Sequence, residues 1–414
     1  MRAFHGISSL LFLIASGSIS LAEEASTSVD LNFVTIIQEK LSDTSRTHFG
    51  YSTSLASGVS GSSGWVFVGA PKSNVSIAGR NPDYFEPGVI WRCHLGPNGQ
   101  KCEVLHFLHE LCKDQVVKEN KQEKLNLGIC DSILMGGSLT FENDVLVACA
   151  PNWKRERKGS TVGLRMDGAC YWLKGSAALG SNLALELTQQ TTANARGVLI
   201  PFKDSLYTDS NTHSWTLNKK HVLRWYFAAA GFSVHVSNKN EILIGAPTTH
   251  VDKGSMIRMD EPEYKHWSLV NLETYKDPEL RKFEHFGYGI TSGNYYDRHV
   301  IDYAASSPLG GASASGWDFV GVVLIVEAKS FLNSTKIPKQ TDNELPLWTQ
   351  KDIIKGTYFG AYFGAALESL DINNDGLDDL VVGAPFEENI GRTTSSPTRT
   401  PMKEHGCIYI YGVK

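Results

Sequence analysis

One stretch of the chain decides the fold: residues 363–385, which read FGAALESLDINNDGLDDLVVGAP. It begins with an aromatic residue and a glycine, continues as a short apolar segment, and ends with a second apolar run before Gly383-Ala384-Pro385. A loop dense in Asp and Asn separates the two segments. Short apolar runs bounded by Gly, Asn and Pro are typical of β-strands joined by tight turns. The stretch therefore predicts a β-hairpin.

The same plan recurs four more times toward the N-terminus, and this self-similarity indicates a repeat protein. In each unit a glycine pair or an aromatic-glycine pair precedes an apolar strand, which ends in a small-small-Pro turn before a strand that follows another glycine. The pairs and turns are Phe49-Gly50 with Gly69-Ala70-Pro71, Gly136-Gly137 with Cys149-Ala150-Pro151, Gly231-Phe232 with Gly245-Ala246-Pro247, Phe286-Gly287 with Ser306-Ser307-Pro308, and Phe363-Gly364 with Gly383-Ala384-Pro385. The third strands follow Gly88, Gly168, Gly254, Gly321 and Gly406.

Five matched units of several strands each predict an all-β fold, a β-propeller in which every blade buries its faces against its neighbours. A β-sandwich with coincidental Gly-Ala-Pro turns is the alternative. We expect residues 1–22 to be a signal peptide and residues 23–414 to form the propeller, which is incomplete. The repeats lie near residues 29–110, 125–175, 222–262, 283–330 and 355–414.

The N-terminus directs the chain into the secretory pathway. The apolar run of residues 7–14 is followed by small residues and then by Glu23-Glu24, the pattern of a cleavable signal peptide. No later segment has the ~18 consecutive apolar residues that a membrane span needs. The formal net charge of −5 gives no reason to expect nucleic-acid binding.

The cysteines fit an oxidising compartment. Six of the seven lie within residues 93–170, and none has the Cys-x-x-Cys spacing of a zinc or redox site. They imply three disulfides whose connectivity the spacing leaves open, and we favour the sequential pairing Cys93–Cys102, Cys112–Cys130 and Cys149–Cys170. Glycosylation sequons at Asn74 and Asn333 fit the same route.

The acidic loop of residues 371–379 predicts a Ca²⁺ site. Oxygen-bearing side chains alternate along it, Gly376 allows a sharp turn, and a backbone carbonyl can supply one more hard ligand. The predicted ligands are Asp371, Asn373, Asp375, Leu377 through its carbonyl, and Asp379. An EF-hand is excluded because Val382 stands where its glutamate would be. An acidic turn without a metal is the alternative.

The equivalent loop of the fourth unit has different chemistry. It offers Asn294, Tyr296, Arg298 and Asp302, and an arginine cannot coordinate a cation, so we expect no metal there. We expect the Ca²⁺ of the fifth unit to brace a turn, since no His or carboxylate pair beside it indicates hydrolysis. The chain has no HExxH, GxSxG or GxxxxGK motif, and the sequence predicts a protein that is not an enzyme.

The Phe-Gly pairs, the Gly-Ala-Pro turns and the Asp-x-Asn-x-Asp-Gly-x-x-Asp loop together resemble the N-terminal head of integrin alpha subunits. The resemblance covers most of residues 29–414 and is strongest to the insect position-specific alpha subunits. It implies a seven-bladed propeller that pairs with an integrin beta subunit in a membrane-anchored receptor and binds extracellular matrix. Since five units are visible, we expect a fragment, a truncated isoform or an incomplete gene model.

The same resemblance implies a contact with the beta subunit. In the family, the aromatic residue after each Phe-Gly pair points into the central channel and grips a basic residue of the beta subunit by a cation–π contact. Tyr51, Phe232 and Tyr288 match that position, whereas Gly137 and Ala365 leave the cage thinner on two sides. Ordinary packing within the blades is the alternative role of these rings.

The ligand class follows from charge. Family members that bind Arg-Gly-Asp place carboxylates just upstream of the third and fourth glycine pairs. Here residues 219–225 and 281–285 are rich in Lys, Arg and His and hold one acid, Glu284. A basic rim repels the ligand arginine, so we expect a laminin-type or other matrix ligand. The alternative function is a secreted propeller that acts alone as a soluble binding module or decoy.

Overall fold

The computed structural model describes residues 47–56, 64–74, 85–94, 101–105, 116–119, 122–125, 130–156, 164–174, 196–201, 214–217, 220–223, 227–260, 266–271, 284–311, 319–328, 348–387 and 406–412. The predicted signal peptide, Cys112 and Asn333 lie outside these residues.

The described part of the chain is almost entirely β-structure. In chain order its strands are β1 (Ser52–Ala56), β2 (Trp65–Ala70), β3 (Val89–His94), β4 (Lys101–Leu105), β5 (Val116–Glu119), β6 (Gln122–Leu125), β7 (Ser138–Glu142), β8 (Val145–Ala150), β9 (Lys154–Glu156), β10 (Leu164–Met166), β11 (Ala169–Lys174), β12 (Arg196–Leu199), β13 (Ser214–Leu217), β14 (Lys220–Leu223), β15 (Ser233–Val236), β16 (Ile242–Ala246), β17 (Ser255–Asp260), β18 (His266–Asn271), β19 (Ile290–Gly293), β20 (Asp302–Ser307), β21 (Val322–Ala328), β22 (Trp348–Lys355), β23 (Ala366–Leu370), β24 (Asp379–Ala384) and β25 (Cys407–Tyr411). One helical turn, α1 (Thr249–Asp252), lies between β16 and β17.

The strands form five successive antiparallel sheets within the described residues. Their strand orders are β1-β2-β3-β4 in the first sheet, β7-β8-β11-β12 in the second, β15-β16-β17-β18 in the third, β19-β20-β21-β22 in the fourth and β23-β24-β25 in the fifth. Three two-stranded ribbons, β5-β6, β9-β10 and β13-β14, accompany them. Each sheet is thus a meander, as expected for a propeller blade.

Each sheet begins at the same tight turn. The residue two positions before the repeat glycine and the glycine itself both have positive φ, for example 59° at Tyr362 and 91° at Gly364. The Ala365 amide then donates to the Tyr362 carbonyl at 3.0 Å and closes the turn. Glycine adopts this backbone without the steric penalty of a Cβ. The turn therefore delivers the chain into the innermost strand of the sheet.

Neighbouring sheets are joined by a recurring hydrogen bond. The Oγ atoms of Ser52, Ser138 and Ser233 donate to the backbone carbonyls of the next repeat glycine, Gly136, Gly231 and Gly287, at 2.7, 2.7 and 2.9 Å. The approach is close: a Cβ added at Gly245 would lie 2.1 Å from the Gly287 carbonyl oxygen. The glycines that mark the repeat in the sequence are therefore points where two sheets touch.

The hydrophobic core lies between sheets. Adjacent residues of one strand face opposite neighbours, because side chains alternate across a strand. Residues that show this alternation are Leu146 toward the first sheet and Val147 toward the third, Ile244 toward the second and Leu243 toward the fourth, and Leu324 toward the third and Val323 toward the fifth. Both faces of these strands are buried, which explains why their sequences are apolar throughout.

The prediction of an all-β propeller is confirmed. Its outer strands are a finding of the structure, since β12, β18 and β22 lie beyond the repeat ranges assigned from sequence. These strands stand at the edge of their sheets and pair on one side. Edge strands need no continuous apolar run, so the pattern that identified the inner strands is missing from them.

As predicted, the chain carries disulfides. Cys93–Cys102 joins β3 to β4, and Cys149–Cys170 joins β8 to β11. Cys130 is disulfide-bonded as well, and Cys407 is a free, partly exposed thiol. The Asn74 side chain is exposed. Within the described ranges, no helix has the length and apolar character to cross a membrane.

Candidate functional site

A cavity of about 620 Å³ opens where the innermost strands of the five sheets converge. Every sheet contributes to its wall through the residues that follow the repeat glycine. The three predicted aromatic residues, Tyr51, Phe232 and Tyr288, all line it, as do Gly137 and Ala365. The structure therefore brings together, around one channel, residues that are more than 200 positions apart in the sequence.

Two of the aromatic rings that line this channel, Phe232 and Tyr288, belong to a connected row of rings. The ring centroids of Phe232 and Tyr288 are 4.7 Å apart, and those of Tyr288 and Tyr362 are 5.4 Å apart. Phe386 continues the row at 5.9 Å from Tyr362. Tyr51 stands apart with His48, at a centroid distance of 6.4 Å, and its side chain is 64% exposed.

Tyr362 and Phe386 were missed by the sequence prediction. The motif places the aromatic residue directly after Phe363-Gly364, where this chain has Ala365. It therefore predicts that the fifth sheet adds no aromatic ring to the cage. The turn instead places Tyr362 next to Tyr288. Burial, and secondarily the side-chain hydrogen bond between these two tyrosines, raises the pKa of Tyr288 to about 12. An aromatic residue two positions before the glycine was the signal available in the sequence.

A second, smaller cavity of about 480 Å³ lies beside the aromatic cluster. Phe232 and Tyr288 border both cavities. The smaller one is predominantly apolar, because Met166, Pro247 and the exposed side chain of Phe227 line it. Its polar wall comes from Asn152, Thr248, Asp252 and His285.

The structure describes only part of the two basic segments, residues 219–225 and 281–285, whose charge predicts the ligand class. Side chains of residues 219–226 and residues 281–283 lie outside the described part of the chain. Glu284, the single acid of the two segments, pairs with Lys253 at 3.5 Å. Its carboxylate is therefore already engaged by a cation of the same protein.

The loop of residues 371–379 folds around its own side-chain oxygens. Asp371 accepts hydrogen bonds from the amides of Asp375 and Gly376 at 3.1 and 2.9 Å. Asn373 accepts a second bond from the Asp375 amide at 2.9 Å, and Asp375 accepts from Leu377 at 2.8 Å. Gly376 has a φ of +86°, which a β-carbon would strain. Residues 372–376 are exposed, whereas Asp379 is buried and accepts a hydrogen bond from the Ile372 amide at 2.9 Å.

The donor chemistry of this loop fits a hard cation. Its side chains offer only oxygen ligands, the set that Ca²⁺ takes, and the turn at Gly376 leads to the Leu377 carbonyl. Across the described ranges, no three His, Cys, Asp or Glu side chains already stand together as a metal-binding group. The Ca²⁺ site thus stays a prediction that rests on the ligand types and the turn.

A polar network joins the inner strands of neighbouring sheets, and no motif in the sequence indicates it. His235 Nε2 lies 3.0 Å from Ser292 Oγ, and Nδ1 lies 4.0 Å from Glu142 Oε2. Burial, and secondarily the carboxylate of Glu368, raises the pKa of Glu142 to about 7, while burial lowers that of His235 to about 4. Four sheets thus contribute ionisable or hydroxyl groups to one region.

Comparisons with known proteins agree with the repeat pattern. The FG-GAP repeat model matches residues 363–394. Integrin alpha-5 of Xenopus laevis is 22% identical over 84% of this chain and 28% of its own length, and integrin alpha ina-1 of Caenorhabditis elegans is 25% identical over 84% and 28%. Integrin alpha-PS5 of Drosophila melanogaster is 24% identical over 78% and 26%.

A solved sialidase mutant of Trypanosoma rangeli aligns at 8% identity over 80% of this chain and 42% of its own, with a TM-score of 0.32, which is too low to carry an argument. This chain spans about 30% or less of the length of the curated relatives named above. Over most of its own length, the chain is thus similar to integrin alpha subunits, insect position-specific subunits among them, and it carries their FG-GAP repeat.

Proposed function

We propose that this chain is the head region of an integrin alpha-type cell-adhesion receptor, which pairs with an integrin beta subunit and binds extracellular matrix. The observation that carries the proposal is the aromatic cluster of Phe232, Tyr288 and Tyr362, of which Phe232 and Tyr288 line the channel cavity. The names of the relatives support it, since each is an integrin alpha subunit.

The aromatic cluster suits a basic side chain of the partner. The faces of aromatic rings attract Arg and Lys cations, by about 2 kcal/mol when the contact is shielded from water. Phe232, Tyr288 and Tyr51 line the channel cavity, and the rings of Tyr362 and Phe386 continue the row that starts at Tyr288. A beta-subunit Arg or Lys that enters the channel would lie among them.

The matrix ligand is proposed to be recognised without Arg-Gly-Asp, and a laminin-type protein is the favoured class. The cavity beside the aromatic cluster is walled by Phe227, Met166 and Pro247. Glu284, which could have faced a ligand arginine, is held by Lys253. Asp252 is the single carboxylate among the described residues that line this cavity, so a ligand arginine would meet one acid beside a largely apolar wall, while Glu284 is already paired.

The loop of the fifth sheet is proposed to bind a structural Ca²⁺. The ligands would be the side chains of Asp371, Asn373, Asp375 and Asp379, with the backbone carbonyl of Leu377. Bound Ca²⁺ would supply a positive charge that offsets the repulsion among the acids of the loop. The residues themselves already shape the turn through bonds to the amides of residues 375–377.

The proposed role is binding and not catalysis. The Glu142, His235 and Ser292 side chains have the residue types of a hydrolase triad. However, Ser292 is 6% exposed, and the 4.0 Å between His235 Nδ1 and Glu142 Oε2 exceeds a hydrogen bond. We propose that the chain works at the cell surface, within a membrane-anchored receptor that it reaches by the secretory pathway; its disulfides and the exposed Asn74 fit that route.

Co-expression with an integrin beta subunit tests the pairing. We expect the two chains to co-purify, and we expect the double variant Phe232→Ala and Tyr288→Ala to reduce recovery of the complex by roughly tenfold or more. The matched control is Phe359→Ala, because Phe359 is 73% exposed but is not among the residues that line the channel cavity. Equal recovery for all forms would contradict the proposal, and a wild-type chain that never co-purifies would favour the stand-alone soluble binder.

Solid-phase binding tests the ligand class. We expect the purified alpha–beta pair to bind immobilised laminin and to leave an Arg-Gly-Asp peptide unbound. Saturable, Ca²⁺-dependent capture of that peptide would overturn this part of the proposal.

A further inference from the structure

The hairpin loop of the fourth sheet, residues 294–301 between β19 and β20, contacts the acidic loop of the fifth sheet directly. The Asn294 amide donates to Asp378 Oδ2 at 2.7 Å, and the Asp378 amide donates to the Asn294 carbonyl at 3.1 Å. Asn294 is itself held by a bond from its side-chain Nδ2 to the Val300 carbonyl at 2.7 Å. The two loops are thus joined by a reciprocal pair of hydrogen bonds.

Arg298 adds a charged contact at the tip of this loop. Its guanidinium donates to the backbone carbonyl of Asp375. It also lies against Gly376, where an added Cβ would stand 2.9 Å from both Cζ and Nε of Arg298. Arg298, which cannot itself bind a cation, therefore contacts the loop of the fifth sheet that holds the predicted Ca²⁺ ligands.

The contact falls on an atom that the cation would not use. The predicted ligands include the side chain of Asp375 and the carbonyl of Leu377, whereas Arg298 binds the carbonyl of Asp375. The peptide between Asp375 and Gly376 is also the one whose amide donates to Asp371 at 2.9 Å. Holding its carbonyl from outside thus helps to hold its amide toward Asp371.

The charge of Arg298 acts on the loop when no cation is bound. Asp371, Asp375, Asp378 and Asp379 place four carboxylates within nine residues. Like charges this close repel one another when no cation is bound, and a guanidinium beside them reduces that repulsion. Arg298 therefore stabilises the folded loop before the cation binds. Its charge repels a bound cation, so the gain in Ca²⁺ affinity has to come from the geometry that the contact with the Asp375 carbonyl imposes.

We propose that Arg298 is a positioning residue for the cation loop of the fifth sheet, so that divalent-cation binding and the docking of the 294–301 loop stabilise each other. The proposal rests on the proposed Ca²⁺ site. Groups that orient metal ligands without touching the metal commonly change its affinity by about 10- to 100-fold. Because binding free energies are reciprocal, a cation that gains from the docked loop must also strengthen the docking.

Calorimetric titration of the secreted chain with CaCl₂ tests the effect on affinity. We expect Arg298→Ala to weaken Ca²⁺ binding by about tenfold, the low end of that range, because the contact is exposed. Arg298→Lys keeps the charge but lacks the planar fork of donors, so we expect it to recover only a minor part of the loss. His299→Ala is the matched control, since His299 is the exposed neighbour in the same loop.

Hydrogen–deuterium exchange tests the reciprocal effect without measuring affinity. We expect Ca²⁺ to slow amide exchange of residues 294–300 in the wild type and in His299→Ala, although none of these residues is a predicted ligand. We expect that slowing to disappear in Arg298→Ala.

Three outcomes would overturn the inference. The first is that Arg298→Ala binds Ca²⁺ as tightly as the wild type, and the second is that Arg298→Lys restores the affinity completely. The third is that Ca²⁺ leaves the amide exchange rates of residues 294–300 unchanged in the wild type. A wild-type chain that binds no Ca²⁺ at all would remove the cation site together with this proposal. Pairing with a beta subunit is measured separately and would be unaffected by that result.

Discussion

The fourth and fifth sheets are built from the same repeat but meet different surroundings. Val323 and Ile325 of β21 occupy the same repeat positions as Ile408 and Ile410 of β25, counted from Gly321 and Gly406. The first two are 0% and 3% exposed, whereas the latter two are 55% and 58% exposed. In the described residues the fifth sheet packs against the fourth and has no sheet on its other side. Burial is therefore supplied by the neighbour and not by the repeat itself.

The hairpin loops of the two sheets also differ in where their hydrogen bonds go. The loop of the fifth sheet has Asp371, Asn373 and Asp375, and it closes on itself through bonds to its own amides. The loop of the fourth sheet has Arg298 in the place of Asp375, and its hydrogen bonds reach the neighbouring loop. The same repeat position thus holds a predicted metal ligand in the fifth sheet, Asp375, and in the fourth sheet a residue that bonds to the neighbouring loop, Arg298.

The largest effect is expected from placing a charge at the matched positions of β21 and β25. Ile325→Asp buries an unpaired carboxylate between the fourth and fifth sheets, and we expect it to lower the free energy of unfolding by about 4 kcal/mol or more. Ile410→Asp stands on an exposed face, and we expect a change within about 0.5 kcal/mol. Urea unfolding followed by tryptophan fluorescence measures both. Equal losses would show that the outer face of the fifth sheet is covered in solution.

An intermediate effect is expected from removing a ligand of the acidic loop. At a Ca²⁺ concentration of 100 times Kd, binding to the native state adds about 2.7 kcal/mol to the free energy of unfolding. We expect Asp375→Asn to lose most of that increment, and EDTA to remove it from the wild type. Asp297→Asn, a change of the same chemistry in the fourth loop, should keep the full increment. Identical calcium responses from both variants would place the cation elsewhere.

The smallest effect on stability is expected from the polar network of Glu142, His235 and Glu368. Glu368 of the fifth sheet and Thr291 of the fourth occupy the same repeat position, counted from Gly364 and Gly287. The pKa of Glu142, raised to about 7 from an ordinary 4.5, means that the folded state binds this proton more tightly than the unfolded state. Stability from Glu142 is therefore gained as pH falls through 7. Below pH 6.5 the depressed pKa of His235 opposes the gain, because the unfolded state then takes up the imidazole proton first.

Glu368→Thr copies the fourth sheet and removes the carboxylate that helps to raise the pKa of Glu142. It also removes a carboxyl whose own pKa is raised by burial. We expect the stability gain between pH 8 and pH 6.5 to shrink by on the order of 0.5 kcal/mol. The value is small because the Glu142 side chain is only partly buried, with 45% of its surface exposed, so that solvent screens its interaction with Glu368. Unfolding in urea at the two pH values measures it, with Ser369→Ala as the control. An unchanged gain would mean that the two carboxylates do not interact.

Much of the architecture could be predicted from the repeat. Gly245 lies at a sheet junction, and the recurrence of the turn that begins with it is enough to identify the blades from sequence. The serine that bonds across the junction, such as Ser233, is a finding of the structure. The outer strands β12, β18 and β22 escaped prediction, because an edge strand needs no continuous apolar run. Tyr362 was not predicted as part of the aromatic cluster, because the motif identifies the residue after the glycine. The position of Tyr362 depends instead on a turn whose backbone has positive φ.

The sequence by itself determined which segments become strands and turns, since alternating burial and tight glycine turns leave a direct trace in residue types. It also determined the ligand types of the acidic loop, because hard cations require oxygen donors. Only the tertiary structure decided that Arg298 meets Asp375, that Glu142 faces Glu368, and that Ile410 is exposed while Ile325 is buried. Each of these depends on which sheet stands next to which, and contacts between residues so far apart in the chain leave no local pattern to read.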